Sequence, residues 1–276
     1  MEPISTSEML MFNTVRLETQ DGSSGTGFFF QFNYMEQTIP ILITNKHVVN
    51  FKNSETVNFL LHLKEEDGST KENFSISLTA EWYFHPNKDL CFTFMAPIFK
   101  EVEKIKGKPV FYMANDEEIV PSNEDLRELS ALEEIVMIGY PIGLWDKNNN
   151  FPIFRKGYTA SHPAYDFNDK GIALADISAF PGSSGSPIYI LNETGYSDKK
   201  GNTYLGRGRL IFLGVLFSGP VQNINGNISI VNTQVQPQFI SEMSVMTNLG
   251  YYIKAEEILE FKTIIQEKLD SQVNNI

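Results

Sequence analysis

Apolar and polar positions along the chain fall mostly into short runs with turn residues between them, a pattern of strands rather than helices. In the first half, Thr26 to Phe32 is β-rich and follows the glycine turn Asp21 to Gly25. Ile39 to Thr44 predicts a second strand and Thr56 to Leu63 a third. Glu65 to Gly68 reads as a turn, and Phe74 to Trp82 and Leu90 to Met95 as further strands. Asn115 to Glu134 breaks the pattern. It is acidic, contains Pro121, and reads as a connection with one helical turn near Leu126 to Leu132. A second strand-rich stretch follows: Ile135 to Gly139, Lys156 to Ser161, Gly171 to Ile177, Ser186 to Leu191, Arg209 to Phe217, Ile228 to Val235 and Gly250 to Ile253. Asp146 to Asn150 and Ser197 to Arg207 read as polar loops. From Ala255 to Gln272, apolar residues recur at helical spacing (Ile258, Leu259, Phe261, Ile264, Ile265, Leu269), which predicts a helix packed on its own domain. A partner-binding helix is the other reading. Many strands, few helices and turns roughly every 8 to 12 residues predict an all-β domain built as barrels or a sandwich.

Composition agrees. Of 276 residues, 42% are hydrophobic and 12% aromatic, enough for a sizeable core rich in strand formers. The net charge of −12 argues against a nucleic-acid partner and mainly favours solubility. The longest apolar runs, such as Leu210 to Phe217, are far below the roughly 20 residues of a membrane span, so no membrane association is expected. A single cysteine, Cys91, can form neither an internal disulfide nor a CxxC metal pattern. With no basic stretch leading into an apolar one at the N-terminus, this predicts a cytoplasmic protein.

Three segments carry candidate chemistry. In Pro181-Gly182-Ser183-Ser184-Gly185-Ser186-Pro187, two glycines flank a serine ahead of an apolar strand. Such a turn can aim consecutive backbone N–H groups at one point and present the serine as a nucleophile. An ordinary Gly-Ser loop is the alternative. In Ile41 to Val49, His47 closely follows an apolar strand, either as a base or as a structural histidine. In His85 to Phe92, Asp89 opens an apolar strand, either as the partner of a histidine or as a turn residue capping its own backbone. Together they outweigh their separate alternatives. A serine hydroxyl needs a base, neutral histidine suits that role, and a carboxylate fixes its tautomer. The order His, Asp, Ser is that of the chymotrypsin-type triad.

These residues resemble the chymotrypsin-like serine proteases, and more closely their disulfide-free HtrA/Deg-type branch. Thr44 to Val49 is similar to that family's histidine motif, Asp89 to Phe92 to its "D-L-A" motif, and Gly182 to Pro187 to its "G-N-S-G-G-P" motif. Ile138 to Leu144, Lys156 to Ser161, Asp176 and Leu249 to Ile253 extend the likeness across about residues 10 to 270. The resemblance implies a double six-stranded β-barrel with a C-terminal α-helix. Its parts are an N-terminal barrel over 10–114, a connection over 115–134, a C-terminal barrel over 135–254 and a helix over 255–272. It implies a serine endopeptidase acting on proteins or peptides, with Ser184 as nucleophile, His47 as general base then acid, and Asp89 as orienter. No metal or organic cofactor is implied. The N–H groups of Gly182 and Ser184 would form the oxyanion hole. Asp176, Ser178, Phe180, Phe217, Ser218 and Gly219 would bind substrate, the last three as a strand edge.

Ser186 replaces the family's second glycine. Ser183 stands where zymogens place the aspartate that captures a freed N-terminus, so activation by N-terminal cleavage is not expected. No PDZ module is expected to follow the protease domain, and control is then expected to come from a partner protein or from substrate exposure. Ser178 occupies the position of trypsin's pocket aspartate. A small or medium apolar residue before the scissile bond is therefore expected, unless Asp176 faces the pocket. Two other functions stay open: a non-catalytic binding module on the same scaffold, and an esterase-type acyl hydrolase using the same triad.

Overall fold

Strands with apolar residues at successive positions need two cores to bury them, and the fold supplies three. A computed structural model describes residues 2–228 and 239–273. The N-terminal strands are β1 (Thr14–Thr19), β2 (Ser24–Tyr34), β3 (Gln37–Thr44), β4 (Ser54–Lys64), β5 (Thr70–Glu81), β6 (Tyr83–Phe84), β7 (Cys91–Phe94) and β8 (Val110–Phe111). They form one eight-stranded sheet in the order β5-β4-β1-β2-β3-β7-β6, with β8 on β4. The expected first six-stranded barrel is thus an open, half-barrel sheet. β2 and β3 divide two cores. Phe29 and Leu42 join Val15, Leu17 and Phe59 on one side, and Phe28, Phe30, Phe32, Ile41 and Ile43 face the other. Their turn places Met35 and Glu36 at φ 43° and 63°, the two-residue hairpin geometry, without the Asn-Gly signature that would reveal it in a sequence.

Two helices belong to this half. α1 (Thr6–Met11) is capped by Ser5 and Glu8. α2 (Met95–Lys106) begins where the expected strand from Leu90 was to end, and Met95, Ile98 and Val102 seal the first core. The acidic connection holds one short helix, α3 (Asn123–Arg127), earlier than the turn expected at Leu126 to Leu132 because Ser122 and Asp125 form its capping box.

The second unit contains β9 (Glu134–Gly139), β10 (Ile153–Thr159), β11 (Ile172–Asp176), β12 (Pro187–Asn192), β13 (Gly195–Ser197), β14 (Thr203–Leu205), β15 (Arg209–Ser218), β16 (Val221–Ile228), β17 (Phe239–Met246) and β18 (Leu249–Lys254). Six close a barrel in the order β10-β11-β18-β15-β12-β9. The segment expected as a loop at Ser197 to Arg207 carries the β13–β14 hairpin. β16 and β17 pair only with each other among the described residues. The strand expected at Ile228 to Val235 lies beyond Ile228 outside the described residues. After a 3₁₀ segment, α4 (Phe261–Val273) packs Phe261 and Ile265 into the core shared by both units, beside Phe92, Val136, Ile138 and Phe212. A chymotrypsin-like arrangement results, with a cleft between the two β units. No described helix is long and apolar enough to cross a membrane.

Candidate active site

His47 and Asp89 are brought together by strand pairing. β3 ends at Thr44, which pairs with Cys91 at the start of β7. After Asn45 the chain makes one 3₁₀ turn, Lys46–Val49. Its Val48 and Val49 are buried, which leaves the His47 ring half-exposed at the cleft. His47 Nδ1 lies 2.6 Å from Asp89 Oδ2, the His47 backbone N–H donates to Asp89 Oδ1 at 3.2 Å, and Asn45 Nδ2 donates to the Asp89 carbonyl at 2.7 Å. The carboxylate therefore accepts from the histidine ring and main chain together, which orients both.

Ser184 reaches the same corner through β2. The Thr26 N–H donates to the Ser184 carbonyl at 2.8 Å, and the Thr44 hydroxyl donates to the Thr26 carbonyl at 2.7 Å. Thr44 is three residues before His47, so two bonds tie the serine turn to the histidine strand. Gly185, at φ +84°, could not be otherwise: a Cβ there would lie 1.9 Å from the Thr26 carbonyl oxygen. Among the described residues no hydrogen bond joins the Ser184 hydroxyl to His47.

The peptide ahead of Ser184 is held from behind. The Ile142 N–H donates to the Pro181 carbonyl at 2.6 Å. In a planar trans peptide the N–H points opposite to the carbonyl, so the Gly182 N–H is directed away from Ile142. The Thr26 hydroxyl donates to the Gly182 carbonyl at 3.1 Å and accepts the Tyr140 N–H at 3.1 Å. Among the described residues, neither the Gly182 N–H nor the Ser184 N–H has a protein acceptor. Two unspent donors beside a half-buried serine are what a developing oxyanion needs.

The expected substrate-binding residues divide into two groups. Phe217 and Ser218 close β15 and Gly219 follows it directly; Leu216 of that strand accepts the Gly185 N–H at 2.9 Å and donates to the Ser186 carbonyl at 2.9 Å. This edge therefore flanks the serine turn, and Phe217 lines a cleft beside Asp89 together with Lys88, Lys170 and Ile172. Asp176 is exposed and points away from the barrel interior. Asn248 Nδ2 donates to it at 3.0 Å, and the Ser178 hydroxyl donates to Asn248 Oδ1. Phe180 lies under the Arg155 guanidinium, 5.0 Å from its ring centre. Thr26, Thr44, Asn45, Ile142 and Asn248 were not singled out from sequence. Thr44 and Asn45 stood inside the histidine motif and Ile142 inside the Ile138 to Leu144 likeness, while Thr26 and Asn248 carried no signal of their own.

His85, Glu257 and Glu260 are the one described cluster with metal-ligand spacing, their ligand atoms within 4.8 Å of one another. The donor chemistry does not fit an ion. His85 Nδ1 accepts the Asn87 and Lys88 N–H groups at 3.1 and 2.9 Å, which places the ring proton on Nε2, the nitrogen a metal would need bare. That Nε2 lies 3.1 Å from Glu260.

No similar sequence was found among curated proteins. Among solved structures, an inactivated protease paralogue of the scabies mite, S-I1, covers 94% of this chain and 97% of its own at 13% identity, with a TM-score of 0.48. A thermostable serine protease, AL20, from an extremophilic microorganism covers 89% of this chain and 93% of its own at 13% identity, with a TM-score of 0.42. Residues 25–196, which hold His47, Asp89 and Ser184, match the trypsin-like peptidase domain, and the chain belongs to that family.

Proposed function

We propose that this chain is a serine endopeptidase that acylates Ser184, with His47 as general base then acid and Asp89 as its orienter. The observation that carries this reading is the His47–Asp89 pair at 2.6 Å, at a corner that Thr26 and Thr44 tie to the serine turn. His47 Nδ1 is committed to the carboxylate, which leaves Nε2 to take the serine proton. The unspent N–H groups of Gly182 and Ser184 receive the negative charge of the tetrahedral intermediate. Collapse of that intermediate expels the amine, protonated by His47, and water repeats the sequence on the acyl-enzyme. The edge at Phe217 to Gly219, where β15 ends, pairs with the extended acyl side of a peptide. Its preferred residue before the scissile bond is small or medium apolar. The lone Cys91 supports a disulfide-free, cytoplasmic member of the family.

A fluorophosphonate probe tests the reading. It labels the wild-type protein and not Ser184→Ala, and that variant loses turnover by about 10⁶-fold. Equal labelling of both proteins refutes the assignment. A non-catalytic module is the rival reading, favoured by the missing His47–Ser184 hydrogen bond. Catalytic hydrogen bonds often tighten only when substrate is present, and an unlabelled wild-type protein would decide for the module.

A further inference from the structure

Ile142 is an outlier that the proposed chemistry leaves half explained. Its φ and ψ are 53° and 26°, in the left-handed region. Among the described non-glycine residues with positive φ it is the one β-branched side chain, the others being Met, Glu, Phe and four Asn. A β-branched residue is strained there, where Gly or Asn would not be. The N–H bond to Pro181 needs only the backbone, so it does not account for the side chain. Packing does not account for it either, since Ile142 is 68% exposed. Leu144, two residues on in the same turn, is 60% exposed. Two large apolar side chains thus stand in solvent on the turn that clamps the peptide next to Ser184. Strain and exposure kept together at such a place point to a contact made only when a ligand arrives.

The geometry says which part of a substrate arrives there. Ser184 has two flanks. On one, Gly185 and Ser186 bond Leu216 of β15, the edge assigned to the acyl side. On the other lies the 140–144 turn: a Cβ on Gly182 would lie 2.6 Å from the Tyr140 carbonyl oxygen and 3.2 Å from the Ile142 nitrogen. A chain that enters along β15 and crosses Ser184 leaves over Ile142. Resting on the peptidase reading, we propose that Ile142, with Leu144, is the specificity contact for the residues that follow the scissile bond, and that this chain cleaves preferentially ahead of apolar residues.

The test digests a peptide library randomised on both sides of the bond and sequences the new N-termini. Wild-type protein should enrich Leu, Ile, Val, Met or Phe over Ser at the first two new positions, on the order of tenfold, as expected from covering about two methylene groups. Asn holds the left-handed conformation and keeps the N–H, so Ile142→Asn preserves the clamp on Pro181 while removing the apolar surface. It should reduce the enrichment to below about twofold, a loss worth most of that burial term, with the acyl-side profile retaining its shape. Ile142→Val should keep the enrichment. A wild-type profile that is flat after the bond, or one that Ile142→Asn leaves intact, overturns the inference while the peptidase reading stands. Absence of both cleavage and fluorophosphonate labelling overturns the peptidase reading, and this inference with it.

Discussion

The Asp89 carboxylate grips His47 twice, with Oδ2 at 2.6 Å from the ring Nδ1 and Oδ1 accepting the backbone N–H of the same residue at 3.2 Å. A two-point grip selects one ring orientation and one tautomer, with the proton on Nδ1 and a lone pair on Nε2. Asp89→Asn keeps the shape but can present an amide N–H to Nδ1, which stabilises the opposite tautomer. The expected result is a fall in kcat of about 10⁴ with KM little changed. Steady-state kinetics on a cleavable peptide measure it. A variant within tenfold of wild type would show that the pair is structural.

Thr26 does for the serine turn what Asp89 does for the histidine. Its hydroxyl bridges the Gly182 carbonyl and the Tyr140 N–H, and its own N–H holds Ser184. Thr26→Val is nearly isosteric and strands two buried polar groups, at about 1–3 kcal/mol each. It should lower Tm and lower kcat more than it raises KM, because the Gly182 peptide loses its tether. Thr26→Ser, which restores the hydroxyl, should recover kcat. Equal losses in both variants would assign the effect to packing.

Stability should depend on pH through a histidine far from the site. His62 is buried against Phe12 and Phe151, and Nε2 faces the Asn150 carbonyl at 3.1 Å. Burial lowers its pKa to about 4. The unfolded chain takes up a proton near pH 6.5, the ordinary histidine value, while the folded chain does not until about pH 4. Stability is therefore complete above about pH 6.5 and is lost as pH falls toward 4, by about 3 kcal/mol at most. Urea unfolding at pH 4.5 and 7.5 measures the difference, and His62→Gln should reduce it. Burial lowers the pKa of His85 as well, so the variant keeps a residual slope of the same sign. An unchanged slope in His62→Gln would place the titration elsewhere.

Cys91 opens β7 fully buried, and burial raises its thiol pKa well above the ordinary value. Maleimide should leave the native protein unlabelled and react fully once it is unfolded. Labelling in native buffer within minutes would mean that β7, and with it the Asp89 loop, opens readily.

Much of this was legible in the residues themselves. Local composition located most of the barrel strands, because an apolar run bounded by glycine or asparagine favours a strand, but not β1 or the β13–β14 hairpin. The three chemical segments showed in the same way: a serine between glycines, a histidine after an apolar strand and an aspartate before one each depend on neighbours within a few positions. Other features had no local signal. Met95, Ile98 and Val102 continue an apolar stretch and became helical because the first core needed a lid. The first sheet stayed open for reasons of tertiary packing that no period in the sequence reports.

By itself, the sequence determined the family, the order of the chemical groups and the strand-rich class, all written in short-range patterns. Only the tertiary structure decided that Thr26 and Thr44 tie Ser184 to the histidine strand, that Ile142 turns the Gly182 N–H outward, and that Asn248 lies between Asp176 and Ser178. Those relations join residues some 18 to 160 positions apart. They depend on strand register and on the closing of the second barrel, and a register is a property of paired chains, to which no single segment's residues commit in advance.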